Sequence, residues 1–223
     1  MHRTLFVPFL SILVIIGLAR CSDANLEPVG GMPVDEEPIM ENNEEDDPEE
    51  VSEISDNPIL RLNCGGEEIG YGDIVFTEDN FFGGDTMCVE NTAITDVQET
   101  EMDGIYIFQR SSIDDIGSFE YSIPITNGTY ILKLHFAEIF YGAPGGGMGD
   151  VNARVFDVEV EGTVLLEEFD VFMEAGALTA IIKDFEVTIT DQELNISTYA
   201  SVDRPALAAI EVLGDGQILN PGG

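Results

Sequence analysis

GTYILKLHFAEIFY, residues 128–141, is the stretch on which the reading of this chain turns. Tyr130, Leu132, Leu134 and Phe136 alternate with Ile131, Lys133, His135 and Ala137, and a sustained period of two predicts a strand with one buried face. On that alternation His135 points outward. The run ARVFDVEVEGTVLLEEFD, residues 153–170, repeats the device, with Phe156, Val158 and Val160 set against Asp157, Glu159 and Glu161. Between the two lies FYGAPGGGMG, residues 140–149, too rich in glycine for regular structure and introduced by two large rings. Strands that break off into aromatic residues beside a loop are how a β-sandwich offers a surface for a stacking ligand.

Outward from this centre, strands are predicted over 59–63, 105–109, 119–123, 185–190, 193–199 and 208–213, each with alternating character. Thr126-Asn127-Gly128-Thr129 and Thr190-Asp191-Gln192-Glu193 read as short connections of hairpin type. Helix is confined to a turn or so within 173–182. No internal repeat is present. The chain reads as all-β, an antiparallel β-sandwich of two packed sheets.

The 223 residues divide unequally. Residues 1–21 have a short basic start and an almost wholly apolar run from Leu5 to Leu18, the pattern of an export signal rather than of a spanning helix. Gly17-Leu18-Ala19-Arg20-Cys21 resembles the end of a bacterial lipoprotein signal, with Arg20 where a small residue is the rule, and that resemblance implies lipidation of Cys21 and display on the outer membrane or cell surface. Ordinary cleavage, giving a secreted protein with Cys21 an unmodified thiol, is the alternative. Residues 22–57 carry fourteen carboxylates, no lysine or arginine, and four prolines, which predicts a self-repelling linker with no core of its own. Residues 58–214 then form one domain, and 215–223 a short tail. Setting Cys21 aside leaves Cys64 and Cys88. That even pair is compatible with one disulfide, worth about 3 kcal/mol in the chain-entropy model, or with two free thiols.

The net charge of −36 excludes a nucleic-acid partner by its sign. Residues 58–223 alone carry 30 acids against six bases, a balance of −24; a solvated acidic surface accounts for it, and calcium is the one cofactor it would attract. Catalysis is poorly provided for. Only His2 and His135 exist, so a Ser-His-Asp constellation or a zinc site would have to be built on His135 alone, which argues against both. Carboxylates are so abundant that no acid pair stands out. The glycines at 145–147 lack the Lys-Ser or Lys-Thr of a phosphate-cradling loop. The chain reads as a binding protein, not an enzyme.

Seven segments carry a further resemblance: Leu62-Asn63-Cys64-Gly65-Gly66, Phe81-Phe82-Gly83-Gly84, residues 121–124, residues 134–139, Arg154-Val155-Phe156-Asp157-Val158, Phe169-Asp170 and residues 205–212. In this order and spacing they resemble the malectin and malectin-like carbohydrate-binding domains over roughly residues 59–214. The resemblance implies a jelly-roll-like sandwich of galactose-binding type and a sugar held by loop aromatics and an aspartate. Carried over by motif, the aromatic pair falls on Phe140 and Tyr141, the aspartate on Asp203, and a further aromatic on Phe108, with Tyr106 as the alternative. A family tyrosine expected between Gly84 and Ile94 has no aromatic counterpart in this chain. Sugar rings suit such residues, since their apolar faces stack on aromatics while hydroxyls bond to carboxylates. The implied function is a glucan-type oligosaccharide-binding module; the alternative is a surface protein-interaction or adhesion domain on the same sandwich. Glu138, interrupting an apolar run, is expected to pair internally with Arg154 rather than touch ligand, whereas alternation from Phe136 turns Tyr141 outward, toward a ligand.

Overall fold

A computed structural model describes residues 53–219. The signal, Cys21 and most of the acidic linker lie outside the described residues. In chain order the elements are β1 (Pro58–Asn63), β2 (Ile69–Tyr71), β3 (Ile74–Phe76), β4 (Phe82–Gly83), β5 (Thr86–Glu90), α1 (Gly104–Ile107), β6 (Phe108–Ser112), β7 (Ser118–Pro124), β8 (Gly128–Phe136), β9 (Val155–Val160), β10 (Thr163–Phe169), α2 (Val171–Ala175), β11 (Ile181–Ile189), β12 (Glu193–Val202), β13 (Ala206–Leu207) and β14 (Ala209–Leu213). Two sheets make the sandwich, one in the order β1-β14-β8-β11 and the other β10-β9-β12-β7-β4. All their strand pairs are antiparallel. The alternation written into β8 and β9 closes the space between them: Leu132, Leu134 and Phe136 from one sheet meet Phe156, Val158 and Val160 from the other in one buried cluster. Phe136, Phe156 and Phe169 pack edge-on or tilted at centroid separations of 5.0–6.1 Å, the arrangement that ring quadrupoles favour.

The two connections read as hairpins are instead crossovers between the sheets. β7 pairs with β12 and β4, while β8 pairs with β11 and β14, so residues 126–129 carry the chain from one sheet to the other; residues 190–193 do the same between β11 and β12. Turn composition is the same for a hairpin and for such an arch, and only the partners differ. Asn127 joins the two arches, donating from Nδ2 to the Thr190 carbonyl (2.9 Å) and accepting the Gln192 N–H at Oδ1 (2.8 Å). Within the sandwich sheets, Glu161-Gly162 is a true two-residue hairpin, with Val160 opposite Thr163. Both of its central residues have positive φ, 51° and 71°, as a turn matching the sheet twist requires. The described part of the tail is docked: Ile218 bridges to Ile125 and the Leu219 N–H reaches the Pro124 carbonyl at 2.8 Å.

A second cluster covers the outer face of β8. Phe76, Ile94, Val97, Ile105, Tyr106, Ala137, Ile139, Ala208 and Ala209 pack there, so His135, which alternation turned outward, is fully buried. Of the segment 105–109, predicted as a strand, only Phe108 and Gln109 are one; residues 105–107 are not. Ile105 and Tyr106 are both buried, which alternation forbids, and a single helical turn, α1, delivers both to this cluster before β6 begins at Phe108. His135 is held by Tyr106 Oη at Nδ1 and Glu211 Oε1 at Nε2, 3.0 Å each, and Glu211 Oε2 accepts from Arg61 Nε at 2.7 Å. Burial alone would push the Glu211 carboxyl up, but the hydrogen bonds and charges of His135 and Arg61 together outweigh it and hold the carboxyl below its ordinary value. A lowered folded pKa contributes stability that is complete above the unfolded value of about 4.5 and is lost as pH falls through the folded one. Glu211→Gln should therefore show a stability deficit that is full near neutral pH and shrinks below about pH 4.5, read from urea midpoints of both proteins across the acid range; a deficit that does not change with pH rules this linkage out.

Cys64 and Cys88 are free thiols, not a disulfide. Cys64 lies in the sandwich core, whereas Cys88 is exposed and donates to the Gly65 carbonyl at 2.6 Å. Burial, then the nearby Asp79 carboxylate, pushes the Cys64 thiol up, and burial does the same to Cys88, which keeps both in the unreactive protonated form.

Candidate functional site

The end of β8 builds the site. After Phe136 the chain bends, because Glu138, 2% exposed, turns its Oε1 onto the backbone N–H groups of Phe140 (2.8 Å) and Tyr141 (3.0 Å). Its other oxygen, Oε2, accepts from Arg154 Nε at 2.8 Å. The expected internal pair is present, and it also explains why alternation cannot be carried beyond Ile139. Phe140 is the more exposed of the two rings, at 44%, and Tyr141 is half-buried. The rings stand at 86° with centroids 5.0 Å apart.

Arg154, at the start of β9, extends the network to a second loop. Its Nη1 donates to the Arg204 carbonyl and lies 3.3 Å from Asp203 Oδ2, and its guanidinium carbon is 5.5 Å from the Tyr141 ring centroid. Asp203 follows β12 with φ at +58°, a left-handed conformation that aspartate tolerates better than most residues. It is therefore both a turn residue and a carboxylate aimed at Tyr141. Burial, followed by the Asp203 charge, pushes the Tyr141 phenol up, so the phenol stays protonated and able to donate.

The loop 140–149 has no regular structure, as expected, but it is internally bonded. Gly142 N–H reaches the Gly147 carbonyl at 2.9 Å, Gly146 N–H the Ala143 carbonyl at 3.1 Å, and Ala143 N–H the Phe140 carbonyl at 3.3 Å. Gly146 packs so closely that a Cβ there would sit 1.9 Å from the Phe140 carbonyl oxygen, which makes glycine a requirement of the fold at that position. Asn91 clasps the loop from outside, donating Nδ2 to the carbonyls of Ile139 (2.6 Å) and Pro144 (3.0 Å).

Phe140, Tyr141 and Asp203 are thus brought together, with Arg154 and Glu138 as the frame. Tyr106 and Phe108 are placed elsewhere. Tyr106 is completely buried, with its hydroxyl on His135. Phe108 opens β6 and, two residues from Arg110, shares that residue's face of the strand; both line a cleft with Asn63 and Phe82. Arg154 was legible in the sequence as the partner of Glu138, but its reach to Asp203 depends on two loops meeting across the fold, for which the sequence carries no local signal. Among the described residues, no three His, Cys, Asp or Glu side chains converge to hold a metal ion, and no helix is long and apolar enough to cross a membrane.

Comparison with known proteins agrees with this architecture. The family described as Malectin domain matches residues 58–213. Malectin-A of Xenopus laevis is 25% identical over 147 residues, covering 65% of this chain and 50% of that protein. A probable LRR receptor-like serine/threonine-protein kinase of Arabidopsis thaliana is 27% identical over 171 residues, covering 63% of this chain and 16% of the kinase. The chain thus spans half or less of these relatives. Among solved structures, the ANXUR2 extracellular domain from Arabidopsis thaliana aligns with a TM-score of 0.59 at 17% identity, over 74% of this chain and 49% of that one. Bacteroides uniformis beta-glucuronidase 2 aligns at 0.56 and 17%, over 70% and 18%; at such identities the likeness is one of fold alone. With the family match running from β1 to β14, the chain belongs to the malectin-domain family.

Proposed function

We propose that this protein is a non-catalytic carbohydrate-binding module, taking glucan-like or related oligosaccharides at the loop end of the sandwich. The observation that carries the reading is the pair of perpendicular rings, Phe140 and Tyr141, fixed beside Asp203 and Arg154 by hydrogen bonds to their own backbone. The rings offer apolar faces to a sugar, the Asp203 carboxylate accepts from hydroxyls, and the Tyr141 phenol donates. Glu138 is committed on both oxygens, so its role is positioning. Family membership supports the same ligand class. Lipid attachment at Cys21 and the acidic linker would display the module away from a membrane, with calcium dispensable for binding.

The test is a glycan array probed with the full chain, with and without calcium, followed by titration of the best oligosaccharide. Tyr141→Ala should weaken binding about tenfold or more, since loss of a stacked ring and one hydrogen bond removes about 1.5–2.5 kcal/mol. Asp203→Asn keeps a residue tolerant of positive φ while removing the charge, and should weaken binding with little change in the unfolding midpoint. Failure of the well-folded protein to bind any glycan would instead favour the protein-interaction reading.

A further inference from the structure

A cleft of about 670 Å3 opens on the face of β6 that carries Phe108 and Arg110. It is distinct from the loop end, and the inference drawn from it does not depend on the function proposed there. The volume is that of a small-molecule site. Its floor is closed by a saturated ion pair: Arg110 donates to Asp79 from Nε (2.8 Å) and Nη2, and Asp79 also accepts the Tyr121 hydroxyl (2.9 Å) and the Gly65 N–H. Arg110 lies 3.7 Å above the Phe82 ring centroid, yet that ring remains 43% exposed. Neither charge of the floor is free for a ligand.

The polar side chains left over are all acceptors. Glu67, Glu68, Glu78 and Glu90 line the cleft and are exposed. Asn63 lines it too and is 1% exposed; its Nδ2 donates to the Glu67 carbonyl at 2.8 Å, while its Oδ1 is buried without a partner. A buried acceptor left unpaired is disfavoured by about 1–3 kcal/mol, and a donor brought by a ligand would satisfy it once a small shift of the Gly66 turn opens it to the cleft. Gly66 leaves room for the amide, since a Cβ there would lie 2.2 Å from Asn63 Nδ2. Four carboxylates, one orphan acceptor and two phenyl rings specify a ligand rich in N–H donors, positively charged and partly apolar.

We infer that this cleft binds an organic ammonium ligand, its charge among Glu67, Glu68, Glu78 and Glu90 and its apolar skeleton against Phe82 and Phe108. An oligosaccharide of unacetylated amino sugars and a linear polyamine both carry that chemistry. Isothermal titration of the full chain with a glucosamine oligomer, its N-acetylated counterpart and spermidine separates them. At least one amine is expected to bind, with affinity falling as salt rises, and the N-acetylated oligomer is not. Glu78→Gln with Glu90→Gln, both on the surface, should weaken that binding at least about tenfold. The same charge removed outside the cleft, Glu167→Gln with Glu186→Gln, should leave it within about twofold, and so should Tyr141→Ala. Binding of only the glucosamine oligomer, or only of spermidine, with this variant pattern supports the inference and names the source. Equal weakening by the two double variants, equal binding of the N-acetylated oligomer, or no binding of either amine overturns it.

Discussion

Arg154→Met is expected to destabilise the protein by about 3–5 kcal/mol, because it leaves Glu138 buried with no compensating charge. The Glu138 side chain is 1% exposed and that of Arg154 10%, so water can replace little of what is lost. A pair on the surface would contribute no more than about 1 kcal/mol. Urea unfolding of the parent, Arg154→Met, Glu138→Gln and the double variant forms a cycle that isolates the pair. The double variant should recover part of the loss, since two neutral groups avoid the buried charge, although Phe140 and Tyr141 then keep only an amide oxygen as their backbone acceptor. A loss below about 1 kcal/mol for Arg154→Met would mean that solvent reaches the pair and that the site is not held as described. Binding at the loop end should fall as well, because Arg154 connects the Glu138 turn to Asp203.

The second large effect lies at Asp79. Its carboxylate accepts from Arg110, Tyr121 and the Gly65 backbone at once, and its side chain is 5% exposed against 10% for Arg110. Asp79→Ala strands a guanidinium and a core phenol together, again about 3–5 kcal/mol. In a domain of this size that is a fall in Tm of about 10 °C. Asp79→Asn keeps acceptors for part of the network and should fall less. Equal melting temperatures for parent and Asp79→Ala, measured by circular dichroism, would remove Asp79 from any role in holding β6 to the Gly65 turn.

How much of this could be read from the sequence follows from which forces are local. Alternation is local, so the buried faces of β8 and β9 were legible, and with them the sandwich. Glu138 stood out because a carboxylate in an apolar run needs a partner, and Arg154 supplied it. What could not be read depends on distant partners. Residues 126–129 have turn chemistry in either case, and whether they close a hairpin or cross between sheets is decided by β11, β12 and β14. His135 looks exposed in its own strand and is buried only because α1 and the residues around Phe76 cover that face. Phe108 and Tyr106 were placed by motif in the sugar site, and α1 separates them, sending one to the second core and the other to the cleft. The Glu161-Gly162 hairpin was available as a signal in the residues themselves, since a glycine second in a two-residue turn is the common spelling of that geometry.

The bonded loop 140–147 has a consequence for how fast a ligand is captured. A segment with glycine at 142, 145, 146 and 147 would ordinarily have to be ordered by its ligand, at a conformational penalty charged to every binding event. Here Gly146 rests on the Phe140 carbonyl and Glu138 gathers the backbone of the rings, so that ordering is completed once, during folding. At the sugar site proposed there, association would need no slow rearrangement and would be limited by encounter, and differences in affinity among related sugars would fall chiefly on how long each stays.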